Sequence, residues 1–563
     1  MLGGLSLLRG ADSTAWAAAP TPRTAPLPTK PWWKHPARAK TTTSTAKSDR
    51  PDWWKRAVFY EVFVRSFQDS DGDGVGDIKG LIQRLDYLND GNPKTTTDLG
   101  VTALWLMPIF RSGSYHGYDT EDYWNIDPRY GTNADFKKLL KEAHRRGIRI
   151  IVDFVMNHTS KAHPWFKASA SSVKSPYRNW FVWRKDRPKW TQPWGSGPVW
   201  HASGSDFYYG IFWSGMPDLN FRHGPVRKEL MKIAKHWLKQ GVDGFRLDAA
   251  RYLFADGGGP LQSDRPDTHR YWKSFRKQVK AGSPQVLLVG EIWTNVANIA
   301  PYCKGDEMDL AFHFGLAGAI KGAAASMTTE GIWRVLSNTT FPMECWATFL
   351  TNHDQERIMS QLHSNLPMMK SAAALLLTLP GVPFLYYGEE IGMLNGPKRH
   401  DQHKRMPMAW DSSKQAGFTT GSPWFQRMPH KKANVAVQTK NGKSLLSWYR
   451  QLIHLRRKYP ALSEGSIARV PVKGEGHEGV MAFLRQHKGQ RLLVLLNLED
   501  QSTANVSLKL PFATAKWKSL LKEGKLHVTH IGTALKPHES PRTLATPNHK
   551  VKMGPISLWV VEL

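Results

Sequence analysis

Short apolar strands alternate with helix-length segments along most of the 563-residue sequence. This order predicts an α/β fold: a (β/α)8 TIM barrel with an inserted subdomain after strand 3 and a C-terminal antiparallel β domain. Three observations support it. Eight strand–helix units follow one another, a long aromatic-rich stretch comes after the third strand, and roughly the last hundred residues contain only short alternating runs.

The eight candidate strands are apolar runs of five to seven residues. They span residues 58–64, 103–107, 149–155, 244–248, 286–291, 309–313, 346–350 and 383–387. Helical periodicity lies between several of them, as in residues 134–146 and 226–239. Residues 51–158 and 220–461 are therefore predicted to form the barrel, whose active site lies at the C-terminal ends of its strands.

Composition predicts the parts outside the barrel. Residues 159–219 are crowded with Trp, Tyr, Pro and Gly and are too long for a structureless loop, so we expect an inserted domain. Residues 462–563 are expected to form a C-terminal β-sandwich. Residues 1–50 are rich in Ala, Thr, Pro and Lys, and are predicted to be a disordered linker or a degenerate export signal.

The formal net charge of +30 is spread along the chain. Residues 1–50 carry eight Lys or Arg against two Asp, and the remaining charge follows no RNP-like, zinc-finger or basic-zipper pattern. We therefore expect a solvated basic surface and no nucleic-acid partner. No run of 18 apolar residues occurs, so no transmembrane segment is predicted.

The tryptophan and cysteine residues indicate which ligands and which metal or redox sites to expect. The 24 Trp favour a carbohydrate ligand, because indole faces stack on sugar rings as well as filling cores. Cys303 and Cys345 are expected to be free, buried thiols. Without a Cys-x-x-Cys pair, neither a thiolate zinc site nor a redox motif is indicated.

Polar residues recur where the candidate strands end. Asp248 ends Gly-Phe-Arg-Leu-Asp, Glu291 ends Leu-Leu-Val-Gly-Glu, and Asp354 follows Leu-Thr-Asn-His. Asn157 and His158 close Asp-Phe-Val-Met-Asn-His. Clustered carboxylates repel one another and resist desolvation, so a fold keeps several of them together mainly for function.

In chain order, these segments resemble the signature regions of glycoside hydrolase family 13, the α-amylase family. The resemblance spans roughly residues 52–460 and includes Met-Pro-Asp-Leu-Asn near the end of the insert. It implies retaining cleavage of an α-glucosidic bond. Asp248 would be the nucleophile, Glu291 the general acid and base with a raised pKa, and Asp354 the residue that binds sugar hydroxyls and stabilises the oxocarbenium-like state.

The same resemblance implies a set of residues around the reacting sugar. Arg246, two positions before the nucleophile and on the same strand face, would keep that carboxylate ionised. The others are His158 and His353 as hydrogen-bonding partners, Tyr118 as a stacking platform, and Asp119 and Arg405 as further substrate-binding residues.

An acidic segment after the first strand suits a hard cation with oxygen ligands, and by resemblance this ion would be a structural Ca²⁺, with Mg²⁺ as the alternative. Four carboxylates fall in nine residues separated by glycines, and loop position 12, Gly80, excludes an EF-hand. The alternative is a flexible acidic turn. By resemblance, the ligands would be Asp69, Asp71, Asp73, Asp77 and the carbonyl of Val75. A second calcium site would use Asn157 and Asp218.

The residues that distinguish subgroups of this family resemble more than one subgroup. Met-Pro-Asp-Leu-Asn resembles the group intermediate between oligo-1,6-glucosidase-like and neopullulanase-like members. Ala249, directly after the nucleophile, resembles members acting on α-1,4 linkages. The segment beginning at Arg405 resembles the glucosidase and trehalose synthase branch. The prediction is an α-amylase-type hydrolase of starch or maltooligosaccharides.

Other functions stay open. One is an exo-acting α-glucosidase or transglycosidase such as trehalose synthase. Another is a non-catalytic relative similar to amino-acid-transporter heavy chains, which lose the catalytic carboxylates and carry a membrane helix. Nucleic-acid binding is suggested by charge alone. The chain is expected to be a monomer, secreted or in the cell envelope, with the cytoplasm as the alternative.

Overall fold

A computed structural model describes residues 51–426, 431–509, 527–531 and 550–563, so the predicted linker 1–50 lies outside the described residues. The strands of the barrel and its insert are β1 (Phe59–Val62), β2 (Ala103–Leu106), β3 (Phe110–Ser112), β4 (Thr120–Ile126), β5 (Arg149–Phe154), β6 (Trp183–Arg184), β7 (Trp200–Ser203), β8 (Asp206–Tyr209), β9 (Gly244–Leu247), β10 (Leu287–Gly290), β11 (Leu310–Phe312), β12 (Trp346–Phe349) and β13 (Val382–Tyr386).

Eight of these strands close into a parallel barrel in the spatial order β1, β13, β12, β11, β10, β9, β5, β2. The predicted (β/α)8 barrel is confirmed. The helices are α1 (Ile78–Gln83), α2 (Leu85–Leu88), α3 (Asn133–Arg145), α4 (Pro164–Ser171), α5 (Gly224–Gln240), α6 (Pro266–Lys280), α7 (Val296–Ile299), α8 (Phe314–Ser326), α9 (Glu330–Leu336), α10 (Ile358–Gln361), α11 (Leu366–Thr378), α12 (Val435–Thr439), α13 (Leu445–Lys458) and α14 (Pro460–Glu464).

Aromatic rings fill the centre of the barrel. Phe59 stacks on Phe384 with ring centroids 4.2 Å apart, and Phe312 contacts Phe384 at 5.1 Å. Trp105 lies 5.4 Å from Phe312. The barrel is therefore packed rather than open, and the polar residues at the strand ends lie above this apolar floor.

Helix α5 shows why the outer ring forms. Leu230, Ile233, Ala234 and Trp237 are buried at spacings of three or four residues, which places them on one helix face. The helix ends at Gly241, whose φ of 109° is strained for any residue with a side chain.

The insert contains α4 and a three-stranded antiparallel sheet in the order β6, β8, β7. An isolated bridge between His158 and Asp218 joins its two ends where it leaves and re-enters the barrel. No helix among the described residues is long and apolar enough to cross a membrane.

The C-terminal part is antiparallel, as predicted. Its strands are β14 (Ser466–Arg469), β15 (Val472–Glu475), β16 (Val480–His487), β17 (Gln490–Asn497), β18 (Ala504–Leu508), β19 (His527–Ile531), β20 (Lys550–Met553) and β21 (Ser557–Glu562). A five-stranded sheet runs in the order β14, β16, β17, β21, β19, and a second runs β15, β18, β20. Leu493, Leu495, Val506 and Trp559 belong to the apolar cluster that both sheets share.

The expectation of two free thiols is wrong. Cys303 and Cys345 form a disulfide with Cα atoms 5.9 Å apart, although 42 positions separate them in sequence. Cys303 precedes β11 and Cys345 directly precedes β12, and these strands are neighbours in the barrel. Sequence spacing does not reveal that proximity; the closed strand order creates it.

Candidate active site

The carboxyl ends of β9 and β10 bring two carboxylates together. Leu247 and Gly290 are register partners on these neighbouring strands, so Asp248 and Glu291 follow at the same level. One terminal nitrogen of Arg246 pairs with Asp248, and the other lies 3.0 Å from Glu291 Oε2. A single guanidinium therefore holds both carboxyl groups.

Glu291 has the protonation behaviour of a general acid. Burial, with help from Asp248 and Asp354, raises the pKa of Glu291 to about 7, although Arg246 acts in the opposite direction. Its Oε2 also accepts a hydrogen bond from the amide of Ala249 at 3.1 Å. A carboxyl with this pKa exchanges its proton readily near neutral pH.

The residue after Asp248 has an unusual backbone. Ala249 has a φ of 49°, in the left-handed region that β-branched side chains strongly disfavour. Such strain is typical of positions beside reacting groups, where the surrounding structure holds the chain in place. The backbone at this position therefore disfavours a β-branched residue.

Asp354, which follows β12 at the same end of the barrel, is held ionised. Arg405 donates to its Oδ1 at 2.8 Å, and His353 Nε2 lies 3.2 Å from its Oδ2. Burial alone would raise the pKa of Asp354, but the charges of His353, Arg405 and Arg246 outweigh it, so that pKa lies well below its usual range.

His353 carries the positive charge in this cluster. Its Nδ1 donates to Glu61 Oε1 at 2.5 Å, and its Nε2 donates to the hydroxyl of Tyr118 at 2.7 Å. Burial lowers the pKa of His353, whereas Asp354 and Glu61 raise it, and the result is about 9. The imidazolium therefore persists at neutral pH.

Tyr118 links this half of the site to Arg246. Its hydroxyl donates to Asp153 Oδ2 at 3.0 Å, and its ring stacks on His353 with centroids 5.3 Å apart. Asp153 in turn accepts from Arg246 at 3.0 Å and from Trp105 Nε1 at 3.2 Å. Hydrogen bonds and ion pairs together thus connect the three predicted catalytic carboxyl groups.

Two predicted substrate-binding residues lie at the edge of this chain. His158 Nε2 donates to the carbonyl of Tyr118 at 3.1 Å, and burial lowers the pKa of His158, so it is neutral. Asp119 accepts from Ser112 Oγ at 2.6 Å and from Ser114 Oγ. The carboxylate of Asp119 is thus hydrogen-bonded within its own loop.

Three carboxylates of the acidic first loop converge. Asp69, Asp71 and Asp77 each offer an oxygen within 4.8 Å of the others. Asp73 stands outside this group and caps the amide of Val75 at 2.7 Å. Oxygen donors at this spacing suit a hard cation such as Ca²⁺, so the residues present fit the predicted ion.

The second predicted metal site contains two polar groups that meet in a buried position. Asn157 Nδ2 donates to Asp218 Oδ2 at 3.2 Å, and the buried Oδ1 of Asn157 has no hydrogen-bond partner in the described structure. Burial raises the pKa of Asp218 well above its ordinary range. The orphaned oxygen fits a cation ligand, but the pair supplies only two side chains.

Sequence reasoning missed Glu61, Asp153 and Trp105 as members of the site. Glu61 is the one charged residue in the apolar strand β1, and Asp153 is the acidic residue inside β5. A carboxylate on a strand that is buried throughout is a signal that could have identified both, because it needs a charged partner.

Comparison with known proteins agrees with this architecture. Residues 61–465 match the family model described as alpha amylase, catalytic domain, and residues 474–539 match the maltogenic amylase, C-terminal domain. A solved structure of an alpha-amylase from H. orenii superimposes with a TM-score of 0.75 at 39% identity, covering 90% of this chain and 99% of the other.

Curated relatives carry more than one activity in their names. Alpha-amylase 3 of Dictyoglomus thermophilum is 41% identical over 79% of this chain and 85% of that protein. The trehalose synthase/amylase of Mycobacterium tuberculosis is 34% identical over 81% of this chain and 83% of that protein. Similarity alone therefore leaves the specific reaction to be inferred from the site.

Proposed function

Because the chain belongs to the α-amylase family of glycoside hydrolases, we propose that it cleaves α-1,4-glucosidic bonds in starch and maltooligosaccharides with retention of configuration. The observation that carries the proposal is that Arg246 forms ion pairs with both Asp248 and Glu291. It brings Asp248, the proposed nucleophile, together with a carboxyl whose pKa is about 7.

In the first step, a carboxylate oxygen of Asp248 attacks the anomeric carbon while the glucosidic C–O bond breaks. Glu291 gives its proton to the departing oxygen. The positive charge that develops on the sugar ring is offset by Asp354, which Arg405 and His353 hold in its ionised form.

In the second step, the ionised Glu291 takes a proton from water, and the water oxygen attacks the anomeric carbon. The ester bond to Asp248 breaks and the carboxylate is restored. Arg246 stabilises that carboxylate as it leaves, because its guanidinium is already paired with it.

One feature favours substrates that extend beyond the reacting sugar. Trp293, two residues after Glu291, stacks on Phe314 and leaves an indole 45% exposed, a platform for a neighbouring glucose unit.

A timed product profile on maltoheptaose tests this function. We expect a range of shorter maltooligosaccharides at early times. Asp248→Asn and Glu291→Gln should each lower kcat about a thousandfold or more, whereas the exposed Glu330→Gln should act like the wild type. Glucose as the sole early product would refute internal cleavage, and near-normal turnover of either site variant would refute the catalytic assignment.

The second candidate is an exo-acting α-glucosidase or transglycosidase such as trehalose synthase. It is favoured by Arg405, which holds Asp354 from the segment that resembles that branch, and by the relative whose name includes trehalose synthase. Incubation with maltose tests this candidate, because an exo-acting α-glucosidase would release glucose and a transglycosidase such as trehalose synthase would form trehalose.

We further propose that Asp69, Asp71 and Asp77 hold a structural Ca²⁺, with Mg²⁺ as the alternative, and that Asp73 and the Val75 carbonyl contribute from the same loop. When bound, the ion would supply positive charge that stabilises this loop. The proposed reaction itself uses no metal ion. Asn157 and Asp218 are the candidate ligands of a second ion.

We propose a monomeric protein that is secreted or lies in the cell envelope, with the cytoplasm as the alternative. The Cys303–Cys345 disulfide supports an oxidising compartment, because disulfides persist there and are rare in the cytosol.

A further inference from the structure

A groove of about 860 Å³ lies on the outside of the barrel between helices α5 and α6, away from the catalytic residues. Charged residues on its walls are Arg222, Arg227, Lys228, Lys232, Asp267 and Arg270. A volume of this size accommodates a short oligosaccharide or a comparable ligand.

The rim of the groove is strongly basic. Five of its residues are Arg or Lys, and Asp267 is its only carboxylate. Asp267 is paired with Arg222 and Arg270, Arg222 is also paired with Asp256, and Lys232 is paired with Glu229. In the described part of the chain, neither Arg227 nor Lys228 has a carboxylate within ion-pair distance. The rim therefore complements an anion.

The floor of the groove is aromatic and contains a buried hydroxyl. Phe254 and Tyr271 are 7% and 8% exposed, and Phe275 is fully buried beneath them. The hydroxyl of Tyr271 has no hydrogen-bond partner within the described residues. Burial raises its pKa, so it stays a proton donor. A buried donor without a partner suits a ligand that carries hydroxyl groups.

We propose that this groove binds a phosphate-bearing segment of an α-glucan, as a site separate from the catalytic centre. The proposal rests on the glucan substrate proposed above. Aromatic surface and a free hydroxyl fit sugar rings. The guanidinium of Arg227 and the ammonium of Lys228 fit phosphate, which guanidinium binds through two parallel hydrogen bonds. Part of the chain's net positive charge, which lies outside the catalytic site, would thus bind a ligand in this groove.

The test is a binding measurement on a variant that cannot consume its ligand. In the Glu291→Gln background, retention on phosphorylated amylopectin is compared with retention on the same amylopectin after phosphatase treatment. Lys228→Glu is the test variant, and Lys235→Glu is its matched control, because Lys235 is also exposed on α5 but does not line the groove. Tyr271→Phe probes the hydroxyl.

We expect Lys228→Glu to weaken binding to the phosphorylated glucan about tenfold, and Lys235→Glu to weaken it less than about twofold. The difference should vanish on the dephosphorylated glucan. Tyr271→Phe should weaken binding to both glucans. Equal losses of binding in the two lysine variants would show that the effect depends only on net charge, and would overturn the proposal.

Two further outcomes separate the groove from the catalytic function. With Glu291 intact, Lys228→Glu should hydrolyse maltoheptaose at the wild-type rate, so a failed hydrolysis assay concerns the proposed function alone. Competition by poly-glutamate, without competition by phosphorylated glucan, would assign the groove to an acidic peptide and overturn the saccharide ligand.

Discussion

Replacing Glu291 by Gln is expected to stabilise the folded protein at alkaline pH while abolishing turnover. The side chain is 13% exposed, and its pKa rises from an ordinary value of 4.5 to about 7 on folding. Glutamine has nearly the same shape but carries no charge. The substitution therefore removes the cost of burying an ionised carboxyl and leaves the packing unchanged.

The magnitude follows from the two pKa values of Glu291. Between them, the unfolded chain has lost the proton and the folded chain still holds it, so wild-type stability falls as the pH rises. The total loss is about 3 kcal/mol, since each pH unit is worth about 1.4 kcal/mol. The advantage of the Gln variant should therefore grow from about 1 kcal/mol at about pH 5 to about 3 kcal/mol at about pH 8.

Urea unfolding of wild type and variant at both pH values measures this difference. Other titrating groups cancel, because they are common to both proteins. The exposed Glu330→Gln is the control, and its effect on stability should not change with pH. A Glu291→Gln advantage that is independent of pH, or that shrinks as the pH rises, would refute a raised pKa.

Three further predictions concern the same features. The kcat/KM of the wild type should decline above a pH of about 7 as Glu291 loses its proton, and a flat profile to about pH 9 would contradict this. Calcium at a hundred times its Kd should stabilise the fold by about 2.7 kcal/mol, and Asp71→Asn should diminish that gain; calorimetry with and without chelator measures both. Replacing Cys303 and Cys345 by Ser should cost about 4 kcal/mol, because the disulfide closes a loop of 42 residues; no change in unfolding free energy would speak against the bond.

Most of the fold could be predicted from local pattern. All eight barrel strands overlap their predicted runs, since strands buried on both faces are mostly apolar and stop at polar residues. Helix α5 could likewise be predicted from the spacing of its apolar residues. The disulfide was not, because the proximity of Cys303 to Cys345 depends on β11 and β12 being neighbours.

The sequence by itself determined which residues end the strands, and therefore that Asp248, Glu291 and Asp354 gather at one mouth of the barrel. Only the tertiary structure decided the protonation of Glu291 and Asp354. That depends on burial and on partners from distant segments: Arg246 between two carboxyl groups, and Glu61 on the far side of His353. Charge–charge energies depend on separation in space, and the closed strand order, rather than sequence distance, sets that separation.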